Sequence, residues 1–217
     1  MLNDDVLEVE VEKPKNFQYE PGQFVFLSFK AKGLKELHPF SFVSSPKEDH
    51  LRFAIKKLGD YTQRLPEHMP NASYAHVEGP YGDFTLSKSK SNIQLWIAGG
   101  VGVTPFISFL SSLSEADCKD KKIHMIYCVN KKEEAVYLDF LERKAAELDC
   151  FDFTLHESES LGFINAKKAE EISRVSEMVE KPDVFVCAPP AMIRALKEQF
   201  KTLGYRKDKI ISEEFNF

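Results

Sequence analysis

The chain has 217 residues, 43% hydrophobic and 29% charged, and its 29 basic and 34 acidic side chains leave a formal net charge of −5. That apolar content, with only 10 glycines and 11 prolines, excludes a disordered or low-complexity chain. The mild acidity argues against a general nucleic-acid binder, whose phosphate contacts demand a basic surface. No apolar run approaches the ~18 to 20 residues that span a bilayer, and no signal-peptide core opens the chain, so the sequence as given reads as soluble. The length is long for one typical domain and comfortable for two. Cys118, Cys128, Cys150 and Cys187 are scattered without C-x-x-C spacing. They predict neither a metal site nor a dense disulfide framework, and a reducing, cytosolic compartment.

The first ~90 residues read as short strands separated by turns. Leu7, Val9 and Val11 alternate with glutamates, the period of two of a half-buried strand that begins almost at once after Met1, as though the chain started inside a longer polypeptide. Pro21-Gly22 makes a turn, Phe24 to Phe29 a second strand and Phe40 to Val43 another. Leu51, Phe53 and Ile55 alternate with Arg52, Ala54 and Lys56. Asp60 is placed as the N-cap of a short helix that stops near Pro66, and Val77 leads into the turn-rich Gly79-Pro80-Tyr81-Gly82. This spacing predicts a small antiparallel barrel.

Ser87 to Ser91 (SKSKS) reads as a linker, after which strands alternate with helices. Strands are predicted at Ile93–Ala98, Ile123–Val129, Phe151–Leu155, Val184–Cys187 and Ile210–Ser212. Helices are predicted at Thr104–Leu113, Lys132–Leu148, Ala166–Val175 and Ala191–Phe200. That rhythm means βαβ units and a parallel sheet.

Several segments carry possible chemistry. Ala98-Gly99-Gly100-Val101-Gly102-Val103-Thr104-Pro105 joins a buried strand to a helix. Glycines there permit a tight turn, Thr104 can cap the helix, Pro105 suits its first position, and the free N–H groups favour an anion. The full G-x-G-x-x-G fingerprint is broken by Pro105, so a bland strand-to-helix turn is the alternative. Asn130-Lys131-Lys132 follows the next strand, where an acid often grips an unmodified adenosine ribose; two lysines would tolerate or favour a 2′-phosphate, or would simply form a solvated turn. Cys187, before Ala188 and Pro189, ends a buried strand at the carboxyl edge where open α/β sheets bind ligands, although buried cysteines are mostly inert filler. Gly59-Asp60-Tyr61-Thr62 could offer helix N–H groups to a phosphate, or be only a cap. Ser41, in His38-Pro39-Phe40-Ser41, has no histidine–acid partner in sequence, so a hydrolase triad is unsupported. Phe215 and Phe217 stand in a tail where chains usually fray; their bland role is a hydrophobic latch.

Taken in order, PGQF (21–24), HPFSFVSSP (38–46), GDYT (59–62), GPYG (79–82), AGGVGVTP (98–105), VCAPPAM (186–192) and the EEFNF tail resemble the ferredoxin–NADP reductase superfamily essentially end to end. Most soluble members resemble R-x-[YF]-[ST] at the flavin motif. Here His38 replaces the arginine, and HPFS followed by GDYT is similar to the dehydrogenase domain of NADPH oxidases and ferric reductases, bacterial NADPH oxidases above all.

The resemblance implies a six-stranded antiparallel FAD-binding barrel over residues 1–88 and a Rossmann-like NAD(P)H-binding domain over 92–217. It implies that His38, Pro39, Phe40 and Ser41 line the flavin, with Ser41 near its N5 and His38 toward the phosphates. Ala54, Ile55 and Lys56 would flank the ring and chain, and Gly59, Asp60, Tyr61 and Thr62 would hold the FAD pyrophosphate. Gly99, Gly100, Gly102, Val103 and Thr104 would hold the pyrophosphate and nicotinamide side of NADPH or NADH, and Asn130, Lys131 and Lys132 the adenosine ribose. Cys187, Ala188 and Pro189 would flank the nicotinamide, and Phe215 or Phe217 would cover the flavin face. The implied catalytic set is Ser41, Cys187, Phe215 and Phe217, with no metal.

The implied activity is hydride transfer from NAD(P)H to FAD, then single-electron delivery to the haem of a membrane oxidase or ferric reductase, ultimately to O2 or ferric iron. The partner would be a haem-bearing transmembrane domain upstream in the parent chain, placing this monomeric piece at the cytosolic face of the plasma membrane. A soluble reductase subunit or a free-flavin reductase is the alternative, although the chain has no cysteine cluster for an iron–sulfur module. A non-catalytic nucleotide sensor would instead leave flavin absorbance unbleached by NAD(P)H.

Overall fold

The computed structural model describes residues 1–31, 33–69, 74–174 and 180–214. Among these residues ten strands and six α-helices follow one another in two blocks. The first contains β1 (Val6–Glu12), β2 (Phe24–Phe29), β3 (His38–Ser41), β4 (His50–Lys56), α1 (Asp60–His68) and β5 (Ala75–Tyr81). The second contains β6 (Ile93–Gly99), α2 (Thr104–Ser112), β7 (Lys122–Val129), α3 (Leu138–Glu147), β8 (Phe151–Glu157), α4 (Ser158–Leu161), α5 (Ala166–Ser173), β9 (Asp183–Cys187), α6 (Pro190–Thr202) and β10 (Ile210–Glu213). Among the described residues, no helix is long and apolar enough to cross a membrane.

In the first block β1 pairs antiparallel with β4, and β2 runs between β3 and β5, also antiparallel. A single bridge between Phe42 and Phe53 ties the two sheets together. Alternation buries Val9, Val25, Leu27, Phe42, Leu51, Phe53 and Ile55 in one interior, which is why these residues read as strands. The block has five strands among the described residues rather than six. Pairing of the third strand begins at His38, two residues before the predicted start, because the β2 register continues through Leu27. The Gly79-Pro80-Tyr81 stretch is not a turn: β5 runs through it, with a register irregularity opposite Phe24 and Phe26 absorbing the change.

The second block is a five-stranded parallel sheet in the order β10-β9-β6-β7-β8. Its strands are apolar on both sides because both faces are covered. Leu95 and Ile97 face a core with Ile126, Val184, Val186, Ile193 and Phe200. Trp96 and Ala98 face the opposite core, which takes in Phe106, Phe109 and Phe185 and also Val6, Val43, Ala54 and Phe84 from the first block. Much of the chain's abundant phenylalanine is spent here: Phe84 stacks on Phe109 at 5.7 Å and meets Phe106 and Phe185 edge-on. Polar clamps reinforce the junction. Ser108 Oγ donates to the Ser44 carbonyl at 2.7 Å, and Tyr137 donates to Glu8, which also faces Arg52 at 3.6 Å.

Several expectations change at element ends, loops and cysteines. Gly59, not Asp60, is the N-cap of α1, and the helix carries Pro66 inside it at the cost of one backbone bond. Val103 precedes α2, so Thr104 opens the helix rather than capping it. The long helix predicted from Lys132 starts only at Leu138: Lys132–Glu134 form a single 3-10 turn, Val136 is buried with its N–H on Tyr127 Oη, and Tyr137 sits at φ 63°. The SKSKS segment is no free linker. Asp183 is buried, and Ser89 Oγ, the Lys90 and Ser91 amides and Lys209 Nζ all turn toward its carboxylate. Helix α5 ends at Ser173, and Val175, its predicted end, lies outside the described residues. Cys118 and Cys150 are joined as a disulfide, a pair the spacing did not suggest, whereas Cys128 and Cys187 are free and buried.

Candidate functional site

The sheet order places a topological switch between β6 and β9, since the chain leaves β6 toward β7 on one side and leaves β9 toward β10 on the other. A crevice opens outside the carboxyl ends of strands at such a point. The register aligns three of those ends: Ala98 lies beside Cys187, and Gly99 beside Cys128. The glycine turn fits this edge closely. A Cβ on Gly102 would lie 2.2 Å from the Cys187 carbonyl oxygen, and one on Gly99 would meet Ala188 Cβ at 2.8 Å. Gly100 sits at φ +55° with open space around it. Glycine at 99 and 102 is therefore required by the approach of the turn to residues 187–189, and α2 follows the turn with no side-chain cap on its amino end. Burial drives the Cys187 thiol well above the ordinary range, with the Glu213 carboxylate adding to the shift, so it is a neutral thiol and no nucleophile.

The first block supplies the facing wall. His38 stacks on Tyr61 at 3.9 Å between ring centres, which pins β3 to α1 and brings HPFS and GDYT together. Tyr61 Oη donates to the Leu34 carbonyl, and burial raises the phenol to about 12. Thr62 Oγ1 takes the Leu58 and Gly59 amides, while the α1 amino end has no side-chain cap. Ala54 and Ile55 are buried and Lys56 is half-buried. Among the described residues, two buried polar atoms on β3 have no hydrogen-bond partner, Ser41 Oγ and His38 Nε2, the latter 3.5 Å from Glu36. Buried hydroxyls are nearly always paired, so this orphan is a position that a ligand atom or an ordered water would fit.

A continuous path joins the walls. Ser41 is paired with Phe24, and Phe24 in turn lies against Tyr81 and Gly82. A Cβ on Gly82 would fall 2.9 Å from Glu213 Oε2, and Glu213 stands beside Cys187 in the β10–β9 ladder. A chain of contacts thus leads from Ser41 on β3 to Cys187 on β9. Glu213 was not singled out by sequence: an acid in a polar tail carries no signal until the fold sets it among Gly82, Asp83 and Cys187. Burial, with Asp83 nearby, lifts its carboxyl from 4.5 to about 7. A cleft of about 280 Å³ opens beside it, lined among others by Asp83, Phe84, Ile211 and Ser212.

At the other end, past β7, Asn130 takes the Ser158 hydroxyl and donates to Glu134, Lys131 pairs with Glu159 at 3.4 Å, and the Lys132 amide donates to Glu157. Phe163, also missed by sequence, is 86% exposed just beyond, on a loop braced by His156 Nε2 against the Gly162 carbonyl at 2.8 Å. Its signal was one aromatic in the polar run between β8 and α5. Phe215 and Phe217 lie outside the described residues.

Comparisons with known proteins agree with this architecture. A family model described as an FAD-binding domain matches residues 1–190. The chain is 33% identical over 165 residues to dual oxidase 1 of Canis lupus familiaris, covering 70% of this chain and 11% of that protein. It is 26% identical over 214 residues to the reductase component of propane 2-monooxygenase of Rhodococcus jostii, covering 94% and 57%. The chain thus spans about a tenth of the dual oxidase and little more than half of the reductase. In fold it superposes on a ferredoxin NADP+ reductase from Neisseria gonorrhoeae with bound FAD and NADP, with TM-score 0.81, 16% identity and coverage of 98% and 93%.

Proposed function

Because the chain belongs to this family of FAD-binding domains, we propose that it is the reductase portion of a flavoprotein oxidoreductase, taking hydride from NAD(P)H onto FAD and releasing electrons singly to an acceptor. The buried Ser41 hydroxyl, without a hydrogen-bond partner among the described residues, together with a glycine turn that closes on residues 187–189, carries this reading.

In it, residues 1–88 form the FAD-binding half and 92–217 the NAD(P)H-binding half. His38, Pro39, Phe40 and Ser41 line the flavin, Ala54, Ile55 and Lys56 flank it, and Gly59 to Thr62 present an uncapped helix end to its phosphates. Gly99, Gly100, Gly102, Val103 and Thr104 receive the dinucleotide pyrophosphate. Cys187, Ala188 and Pro189 support the nicotinamide without acid–base chemistry, because the buried thiol keeps its proton. Asn130, Lys131 and Lys132 meet the adenosine, with Phe163 offering an aromatic face to its base. Phe215 or Phe217 covers the flavin face until nicotinamide displaces it.

The acceptor in this reading is a haem-bearing membrane domain, with this portion on its cytosolic side; the likeness to dual oxidase supports it. The longer alignment with a monooxygenase reductase component favours a second reading, a reductase serving a separate partner.

The test is to reconstitute the chain with FAD and follow flavin absorbance anaerobically while titrating each nicotinamide. Bleaching is expected. Ser41→Ala should slow it at least tenfold while leaving the chain as stable as before, since the hydroxyl has no protein partner. A chain that neither retains FAD nor bleaches it overturns the reading.

A further inference from the structure

A dinucleotide laid along the carboxyl edge has only one direction for its adenosine. With pyrophosphate on the turn after β6 and nicotinamide on the end of β9, the rest of the molecule runs the other way, over β7 and β8. The ribose then meets the turn after β7 and the end of β8, which lie side by side because Val129 pairs with Glu157. What it meets there is chiefly carboxylate. Lys131 and Lys132 stand among Glu133, Glu134, Glu157 and Glu159.

One of the two lysines is already paired, and the other is followed directly by acids. Lys131 is paired with Glu159 at 3.4 Å. Lys168, farther along, is held on the Leu161 carbonyl at 2.8 Å. Lys132 Nζ has no ion-pair partner among the described residues, and its two chain neighbours downstream are both acids. Glu157 spends Oε2 on the Lys132 amide at 2.9 Å, and Oε1 has no partner among the described residues. A free carboxylate oxygen accepts a ribose hydroxyl, whereas a 2′-phosphate, carrying nearly two negative charges, would have to displace Glu159 from Lys131 and lie among the remaining acids.

We propose that the chain takes the dinucleotide with an unmodified adenosine ribose, NADH, in preference to its 2′-phosphorylated form, and that Glu157 and Glu159 set the choice. The proposal rests on the reading of the crevice given above, and reverses what the two lysines alone suggest.

The test uses the FAD-loaded chain and two readouts. Stopped-flow flavin reduction compares NADH with NADPH, and calorimetry compares 5′-AMP with 2′,5′-ADP, which carry the discriminating ribose without the redox ring. The expected preference is about tenfold at low salt in both, shrinking as ionic strength rises. Glu159→Gln and Glu157→Gln should each narrow it severalfold. Glu198→Gln, which removes the same charge from the outer face of α6 where Glu198 pairs with Lys201, should leave the ratio as it was. Equal or tighter binding of 2′,5′-ADP, or reduction by NADPH at least as fast as by NADH, overturns the inference and leaves the proposed function standing. Failure of both nicotinamides to bleach the flavin overturns both.

Discussion

Glu213 gives a stability signature that depends on where the fold puts it. Its carboxyl titrates near 4.5 when solvated and at about 7 in the crevice, burial being the main cause and Asp83 the second. A folded-state pKa raised above the unfolded one means the native chain holds the proton more tightly. No penalty therefore exists below about pH 4.5, and the full penalty is present above about pH 7. At 1.36 kcal/mol per pH unit the gap amounts to about 3.4 kcal/mol; the side chain keeps some contact with water, so about 1–2 kcal/mol is the realistic share. Glu213→Gln removes the charge and keeps the shape. Urea unfolding at pH 5 and pH 8 should show the variant gaining about 1–2 kcal/mol over the parent at pH 8 and only a few tenths at pH 5. An equal gain at both pH values, or none at pH 8, would refute the placement of this carboxyl among Gly82, Asp83 and Cys187.

Two further perturbations read other parts of the molecule. Gly102→Ala puts a methyl 2.2 Å from the Cys187 carbonyl oxygen, so the turn must retreat from β9; a loss of about 1–3 kcal/mol in urea unfolding is expected, with a rise in KM for nicotinamide larger than the fall in kcat. Cys118→Ser opens a disulfide between residues 32 apart, and chain entropy assigns such a closure about 3–4 kcal/mol, so the variant should unfold earlier than the parent under oxidising conditions and match it in excess dithiothreitol.

The alternation of strands and helices was legible because each element shows its own period: Leu51, Phe53 and Ile55 on one side of β4, and the unbroken apolar run Leu95–Ala98 of a strand covered on both faces. The candidate walls were legible as motifs, since glycines at 99 and 102 answer to backbone approach rather than to a distant partner. What escaped the sequence was decided by contacts between remote segments. Lys132–Leu148 has helical composition, but burying Val136 and seating its amide on Tyr127 Oη breaks the helix before Leu138. SKSKS has linker composition, but the desolvated Asp183 carboxylate needs donors and takes them from it. Glu213 and Phe163 each became notable only through the company, or the exposure, that the fold gave them.

The junction between the two blocks bears on what in the molecule can move. Phe84, Phe106, Phe109, Phe185 and Trp96 are all essentially inaccessible to solvent, and Phe84 belongs to the segment that leads out of β5 while the others belong to the sheet block. Separating the blocks would expose several of these rings at about 1.5–3 kcal/mol each, and would break the Ser108–Ser44 and Tyr137–Glu8 bonds as well. That cost approaches the whole stability of an ordinary domain. The placement of the two blocks against each other is therefore set by folding.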